Sequence, residues 1–491
     1  MKAKSLVLCA LLPVLPLAGG AAPAVHQADG IKIGEVLATE ATVWTRLTRN
    51  AGLNRGGTPF VAVDHHKGIH EGIGQGQVPP GTKLEDMQDA VPGARGAVRV
   101  SWSRESANSL VDAPPQSTDW VEVDPAHDFT RQFRLTGLQP GTWYALRVES
   151  RTPRGEPGDV VDGRFKTMLA PNSTEPVRFI VTTCHDDWRR DNPEMGFDVY
   201  AAMRHWTPDF FIQTGDFVYL DKYYPFAVNK ELARFKWNRA SAWPYVREFY
   251  RGVSAYFMKD DHDVLKNDSY PGETYGELTW ADGIAIEQEQ LPMPAKPPYR
   301  SLRWGRDLEL WLVEGREYRS PGDTPDHPGK TLLGAEQKRW LFESMRASDA
   351  TFRILISGDT VVGPNVDYKK GDKGDSLSDE AFQTEGNEVR RFLASLPNTL
   401  VISGDRHWQY HSVDPATGLN EFGCGPMCFG MAEGFVGKVK HSPMHRFLRV
   451  DGGFLSVSAA RADGQAKLTL QYHDVAGKLL YEHTFTATSA P

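Results

Sequence analysis

Six apolar runs of strand type in this 491-residue chain stop within a few residues of a side chain able to bind a metal. Ile180-Val181 is followed by Cys184, Phe210 to Ile212 by Asp216 and Tyr219, and Tyr256 to Met258 by Asp260, Asp261 and His262. Leu310 to Val313 leads to Glu314 and Arg316, Ile354 to Ile356 leads to Asp359, and Leu400 to Ile402 leads to Asp405 and His407. In an open α/β sheet the carboxyl ends of the strands face one crevice, where ligands and catalytic groups collect. Side chains spread from residue 184 to residue 407 are therefore expected to meet in space, and the chemistry they imply is metal-dependent hydrolysis.

The net charge of −8 supplies no basic field for holding a polyanion, which argues against dedicated nucleic-acid binding. Lys2 and Lys4, the apolar stretch Ser5 to Leu17 and the small residues Ala18 to Ala22 read as a secretory signal peptide over residues 1–22. No other segment is long and apolar enough to cross a bilayer, so a secreted or periplasmic protein is expected. If Cys9 leaves with the signal, Cys184, Cys424 and Cys428 remain, an odd number in an oxidising compartment. Cys424 and Cys428 are close enough in sequence to close a small loop. Cys184 is then either a thiolate ligand or a buried core residue.

Residues 26–168 alternate in strand fashion between turns, as in Ala41 to Leu47, Ala97 to Trp102, Gln132 to Leu135 and Trp143 to Val148. The turn Leu138 to Tyr144 has the look of a tyrosine corner, so a small fibronectin-like β-sandwich is expected here. The stretch from Gly52 to Arg95, with His65, His66 and His70, reads as a long surface loop within it. From 176 to 490 strands alternate with helical patterns at Met195 to Trp206, Asn229 to Arg239, Ala335 to Arg346 and Glu388 to Leu396, which is the signature of an α/β layered domain. Strand alternation returns from Leu448 to Thr486 and is expected to complete the sheet of that domain.

Three motifs carry most of the chemistry. Gly215 to Tyr219 sets a carboxylate and a phenol three residues apart beyond a strand, a pair suited to bridging cations and to favouring a trivalent ion such as iron(III); the competing explanation is an ordinary Gly-Asp turn. Asp260 to Asp263, with Asn267 and Asp268 soon after, concentrates ionisable groups that repel one another unless a cation or solvent intervenes. Asp405 and His407, two apart on an extended segment, point to the same side.

Taken with Thr183-Cys184, Leu333-Gly334, Gln337, Trp340-Leu341 and Gly404 to Trp408, these motifs resemble the PhoD-type alkaline phosphatase and phosphodiesterase family. Val43 to Leu47 is similar to that family's N-terminal β domain. The resemblance implies a calcineurin-like metallophosphoesterase sandwich of two mixed sheets flanked by helices, holding iron(III) and calcium or another divalent ion. It implies that Cys184, Asp216, Tyr219 and His407 hold the iron, that Asp216 bridges, and that Asp261, Asn267, Asp405 and Asp359 serve the divalent side, with Asp260 the competitor of Asp261. Metal-held hydroxide would attack phosphorus in line, His262 would protonate the leaving oxygen, and one of Arg189, Arg190, Arg316 or Arg406 would grip the phosphoryl group. Lys259, where relatives usually carry an aromatic, and Glu314-Gly315-Arg316, in place of Asp-Thr-Arg, are expected near the substrate entrance. The substrate is expected to be a small phosphomonoester or phosphodiester. Two other readings are a phospholipase D-like hydrolase with an apolar rim of Trp237, Trp243, Tyr245 and Phe249, and a non-catalytic secreted binding protein.

Overall fold

The computed structural model describes residues 25–61, 77–105, 114–294, 296–363, 374–429 and 442–488. The expected signal peptide and His65, His66 and His70 lie outside the described residues. Among those described, no helix is long and apolar enough to cross a membrane.

The first part of the chain is built on strands, with two short 3-10 turns at Leu84–Asp86 and Pro125–His127: β1 (Ile31–Gly34), β2 (Glu40–Arg46), β3 (Ala97–Arg104), β4 (Gln116–Ser117), β5 (Val121–Glu122), β6 (Thr130–Thr136), β7 (Trp143–Arg151) and β8 (Pro157–Lys166). Helices then alternate with strands: β9 (Val177–Thr182), α1 (Asp198–His205), β10 (Phe210–Gln213), α2 (Lys230–Ser241), α3 (Pro244–Tyr250), β11 (Ala255–Phe257), α4 (Asp261–Val264), β12 (Thr274–Tyr275), β13 (Leu278–Thr279) and α5 (Trp280–Gln290). The remainder runs β14 (Arg300–Trp304), β15 (Leu308–Leu312), α6 (Ala335–Ala347), β16 (Phe352–Ser357), α7 (Gln383–Ala394), β17 (Thr399–Ser403), β18 (Gln409–Val413), β19 (Asn420–Cys424), β20 (His445–Arg449), β21 (Gly453–Ala462), β22 (Gln465–Asp474) and β23 (Leu479–Thr486).

The six apolar runs separate into two parallel trios. β9, β10 and β11 pair in register within a nine-stranded mixed sheet, with Phe179 opposite Phe210 and Phe211 opposite Ala255. β15, β16 and β17 pair in a seven-stranded mixed sheet, with Leu310 opposite Ile354 and Ile354 opposite Leu400. Strands covered on both faces carry no alternation, which is why these read as continuous apolar runs. Between the sheets lies a core containing Phe179, Val181, Phe210, Ile212, Leu310, Ile354, Ile402 and Leu455. The outer face of the larger sheet is covered by α1, α2, α3 and α5 through Val199, Trp237, Phe249 and Ile286, and that of the smaller by α6 and α7 through Leu341, Met345 and Val389. The expected arrangement of two mixed sheets flanked by helices is thus present, and β21 completes the larger sheet against β9 as Leu455 pairs with Val181.

The N-terminal strands form a sandwich, but one of its sheets is shared. β3, β4, β5, β7 and β8 form a separate five-stranded sheet. They pack on β1, β2 and β6 through Val98, Val148, Phe165, Ile33, Val43 and Phe133. The corner is closed by Tyr144, whose hydroxyl accepts from the Gln139 amide at 2.9 Å. β1 then pairs in parallel with β11, Gly34 opposite Ala255, so the N-terminal strands extend the larger sheet.

Cys424 and Cys428 do not close the small loop suggested by their spacing; both are thiols. Cys424 packs into the core between the sheets, whereas Cys428 packs with the helices on the far side of the larger one. A sheet separates the two side chains.

Candidate metal centre

Both parallel trios end at the same place. Gly404, just past β17, sits so close to its neighbours that an added Cβ would lie 2.3 Å from Thr214 Oγ1, 2.8 Å from the Gly358 carbonyl and 2.9 Å from Thr183 Oγ1. Four strand ends from two sheets therefore meet at one glycine. Around it the backbone is strained: Cys184, Asp216, Asp268 and Asp405 take φ of 55°, 58°, 58° and 59°, a left-handed region that non-glycine residues rarely adopt and that concentrates at functional sites.

The side chains form three ligand groups joined by shared carboxylates. Cys184, Asp216 and His407 make one, Asp216, Asp261 and His262 a second, and Asp261, Asp268 and Asp375 a third, with the donor atoms of each group within 4.8 Å of one another. Tyr219 completes the first: its hydroxyl is 3.0 Å from Asp216 Oδ2 and 3.2 Å from His407 Nε2, and Cys184 Sγ is 3.5 Å from Asp216 Oδ2. Burial pushes the Cys184 thiol and the Tyr219 phenol well up, and in both the charge of Asp216 adds to the push. Burial raises Asp216 too, outweighing the pull of His262. A cation in their midst reverses all three shifts, because it favours the anionic form of every donor. Asp216 Oδ1 is buried without a hydrogen-bond partner among the described residues, which leaves that oxygen available to a ligand. The residues present fit a bound metal.

Asp263 holds the frame together, accepting from the amides of Asp216 (2.7 Å), Val218 (3.0 Å) and Asp260 (2.9 Å). Of the adjacent carboxylates, Asp261 enters two ligand groups, while Asp260 accepts from Arg316 Nε through Oδ1 and keeps Oδ2 buried without a hydrogen-bond partner among the described residues. His262 rests its Nδ1 2.5 Å from Asp221 Oδ1. Burial works to lower His262, but Asp221, Asp261 and Asp216 outweigh it and push it up to about 10. Asp221 is itself held well below the usual carboxylate range, the attraction of His262 overcoming the effect of burial.

Several sequence expectations are corrected. Arg316 is not placed to grip phosphate: it is fully enclosed, with Nη1 donating to Asp375 Oδ1 at 2.9 Å and Nη2 to Asp359 Oδ1 at 2.9 Å and Asp375 Oδ2 at 2.8 Å. Asp359 faces that guanidinium and belongs to none of the three ligand groups. Asn267 is exposed and accepts from Lys222 Nζ at 3.4 Å. Its neighbour Asp268 turns inward instead, joined by Asp375, which no strand end announces. Asp405 stays at the site: its carbonyl is 3.5 Å from Cys184 Sγ, and burial with Asp375 and Asp261 pushes its carboxyl up to about 6 against the pull of Arg406. Arg189 and Arg406 are half-buried, Arg189 donating to the Tyr223 hydroxyl at 2.7 Å and Arg406 lying 3.5 Å from Asp405.

Lys259 and Glu314 are not at an entrance. Both are buried and face each other at 3.9 Å, with Glu287 and Glu317 at 3.6 and 2.9 Å from the same ammonium. The two departures from the family pattern thus form one ion network. Trp237, Trp243 and Phe249 are fully buried in the helix-side core, and Tyr245 packs against it, so they form no apolar rim.

A double-sheet α/β sandwich with linked thiol, phenol, imidazole and carboxylate groups at converged strand ends defines a metallophosphoesterase-type architecture. The chain belongs to the PhoD-like phosphatase family, whose sequence profile matches residues 179–476. It is 22% identical over 437 residues to alkaline phosphatase D of Bacillus subtilis (strain 168), a match covering 78% of this chain and 64% of that protein. A solved structure of PhoD superposes with a TM-score of 0.69 at 17% identity, covering 97% of this chain and 92% of that one. The purple acid phosphatase PPD1 from yellow lupin shares the fold at a TM-score of 0.58 and 12% identity, covering 93% and 74%.

Proposed function

We propose that the chain is an exported, metal-dependent phosphoesterase acting on phosphomonoesters, phosphodiesters or both. The observation that carries this reading is the linkage of the three ligand groups, in which Asp216 and Asp261 each serve two. The names of its relatives, alkaline phosphatase D and purple acid phosphatase, point the same way. Cys184, Asp216, Tyr219 and His407 suit iron(III), since a phenolate and a thiolate give it anionic donors. Asp261, Asp268 and Asp375, all oxygen donors, suit calcium or another hard divalent ion, with Asp405 alongside. Cations bound there supply Lewis acidity toward phosphoryl oxygens and ease the ionisation of water near neutral pH.

The chain's own groups do the rest. His262, its Nδ1 2.5 Å from Asp221 Oδ1, serves as the general acid to the leaving oxygen through its other nitrogen and is not itself a metal donor, so the group it makes with Asp216 and Asp261 marks how near it stands to them. Arg189 and Arg406 meet the phosphoryl oxygens, while Arg316 holds Asp260, Asp359 and Asp375 in place from behind. Residues 1–22, as a signal peptide, direct the protein to a secreted or periplasmic location. The test is metal analysis alongside hydrolysis of chromogenic mono- and diesters for the parent, Cys184→Ala and Asp216→Asn. Loss of metal together with turnover in both variants is the expected result. Full activity in Asp216→Asn removes the bridging role and the reading with it.

A further inference from the structure

The chain carries an aromatic feature that hydrolysis alone does not require. Trp188, four residues past Cys184, leaves 47% of its surface exposed, although tryptophan is highly buried on average. Its indole stacks on Tyr223 with ring centroids 5.4 Å apart and planes 9° apart, and it meets Tyr224 edge-on at 6.3 Å and 85°. Tyr223 covers one face of the indole, so the exposed area of Trp188 belongs to the rest of the ring. Arg189 fixes the pair from the side, bonded to the Tyr223 hydroxyl and with its guanidinium 5.6 Å from that ring. Tyr223 takes φ 54°, a conformation costly for a bulky residue, so its ring is held in place against local backbone preference.

Both rings hang from the loops that carry the reacting groups. Tyr223 stands two residues beyond Asp221, the partner of His262, and so within about 7 Å of it along the chain. Trp188 can stand no more than about 14 Å from Cys184 by the same measure. Beside the pair is a cavity of about 230 Å³ lined in part by Trp188, Tyr224, Phe60 and Arg190. That volume is smaller than the roughly 300–1,000 Å³ of whole small-molecule sites, and it suits a single ring substituent.

We propose that Trp188 and Tyr223 form a leaving-group subsite that stacks the planar ring of an aryl group or nucleobase, so that aryl or nucleoside phosphoesters are preferred to esters of alcohols without a ring. The proposal rests on the phosphoesterase reading and names its substrate class. Stacking is indifferent to the chemistry of the ring edge, which is why aryl groups and nucleobases are both admitted.

The test compares kcat/KM of the metal-loaded full chain for phenyl phosphate, a nucleoside 5′-monophosphate and glycerol phosphate. A preference of roughly tenfold for either or both aromatic esters over glycerol phosphate is expected, the scale of a single stacking contact. In Trp188→Ala the ratio for the nucleoside monophosphate, whose leaving alcohol is aliphatic like that of glycerol phosphate, falls to near one through KM, and in Trp188→Phe most of it returns, a pattern that a loss of folding does not produce. A ratio near one in the parent, or one untouched by Trp188→Ala, overturns the proposal. Calorimetric titration with phenylphosphonate and methylphosphonate reads the same preference without turnover. Phenylphosphonate should bind roughly tenfold more tightly to the parent and equally to Trp188→Ala; equal binding to the parent overturns the subsite. Absence of hydrolysis with every ester contradicts the phosphoesterase reading alone, because the titration still decides the subsite.

Discussion

At the scale of single residues, charge balance decides which of several adjacent carboxylates becomes a ligand. Asp260 and Asp261 are indistinguishable in sequence, yet only Asp260 lies within hydrogen-bond reach of Arg316 Nε, which leaves Asp261 to two ligand groups. The same contrast separates Asn267 from Asp268 and yields a prediction: Asp268→Asn loses divalent metal on gel filtration, whereas Asn267→Ala retains it, with plasma mass spectrometry as the readout. Equal retention in both variants contradicts the assignment. Asp221 supplies a second prediction, since its Oδ1 lies 2.5 Å from Nδ1 of His262 and its charge pushes the pKa of that ring up. Asp221→Asn should lower kcat by about a hundredfold, within the range of general acid catalysis, while metal content stays at the parental level. Neither Asp221 nor Asp375 was legible beforehand. Asp221 follows Tyr219 by two positions and could have been read as a second-layer partner of the motif, but Asp375 lies in a loop well past β16, and only the fold brings it back to Asp261.

At the scale of elements, the six strands could be read because burial on both faces removes polar residues from them, and their ends could be read because ligand types stand out against that background. The helices were less legible. α2 announces itself with Asn229, whose side chain accepts from the Leu232 amide at its first turn. α3 carries Tyr245 and Phe249, two of the four aromatics that the alternative reading sets on an apolar rim, but its apolar face packs inward as Val246, Phe249 and Tyr250. α5 carries Gly283 in its interior, a poor helix residue kept because an added Cβ would lie 2.1 Å from the Val264 carbonyl, where α4 crosses it. Gly404 plays the corresponding role where the strand ends meet. Gly404→Ala should destabilise the fold by about 1–3 kcal/mol, the usual cost of overpacking, and lower metal content with it. Thermal unfolding gives the first quantity and metal analysis the second; an unshifted Tm shows that the strand ends are not packed as tightly as the account requires.

At the scale of the whole molecule, one sheet runs from the N-terminal strands through β11 and β9 to the C-terminal hairpins, a continuity hidden in the sequence because the pairing of Gly34 with Ala255 spans most of both parts. The two large sheets are also joined by His411 on β18, which reaches the edge strand β23 of the larger one. Its Nε2 lies 2.9 Å from Asn420 Oδ1 and its Nδ1 2.9 Å from the hydroxyl of Tyr481 on β23, so the neutral ring satisfies both partners. Burial lowers its pKa to about 4, with His483 adding to the effect. The unfolded chain, with histidine near 6.5, binds more protons between those values, so stability is present above about pH 6.5 and is lost as pH falls toward 4. Urea unfolding at pH 7 and pH 5 should show a smaller loss in His411→Gln than in the parent; identical losses contradict the role given to His411. The central claim is that Cys184, Asp216, Tyr219 and His407, far apart in sequence, enclose one iron ion. Anomalous diffraction at the iron edge from crystals of the full chain tests it most directly. The account predicts a single strong peak bounded by those four side chains, and an active protein with no iron peak there contradicts it.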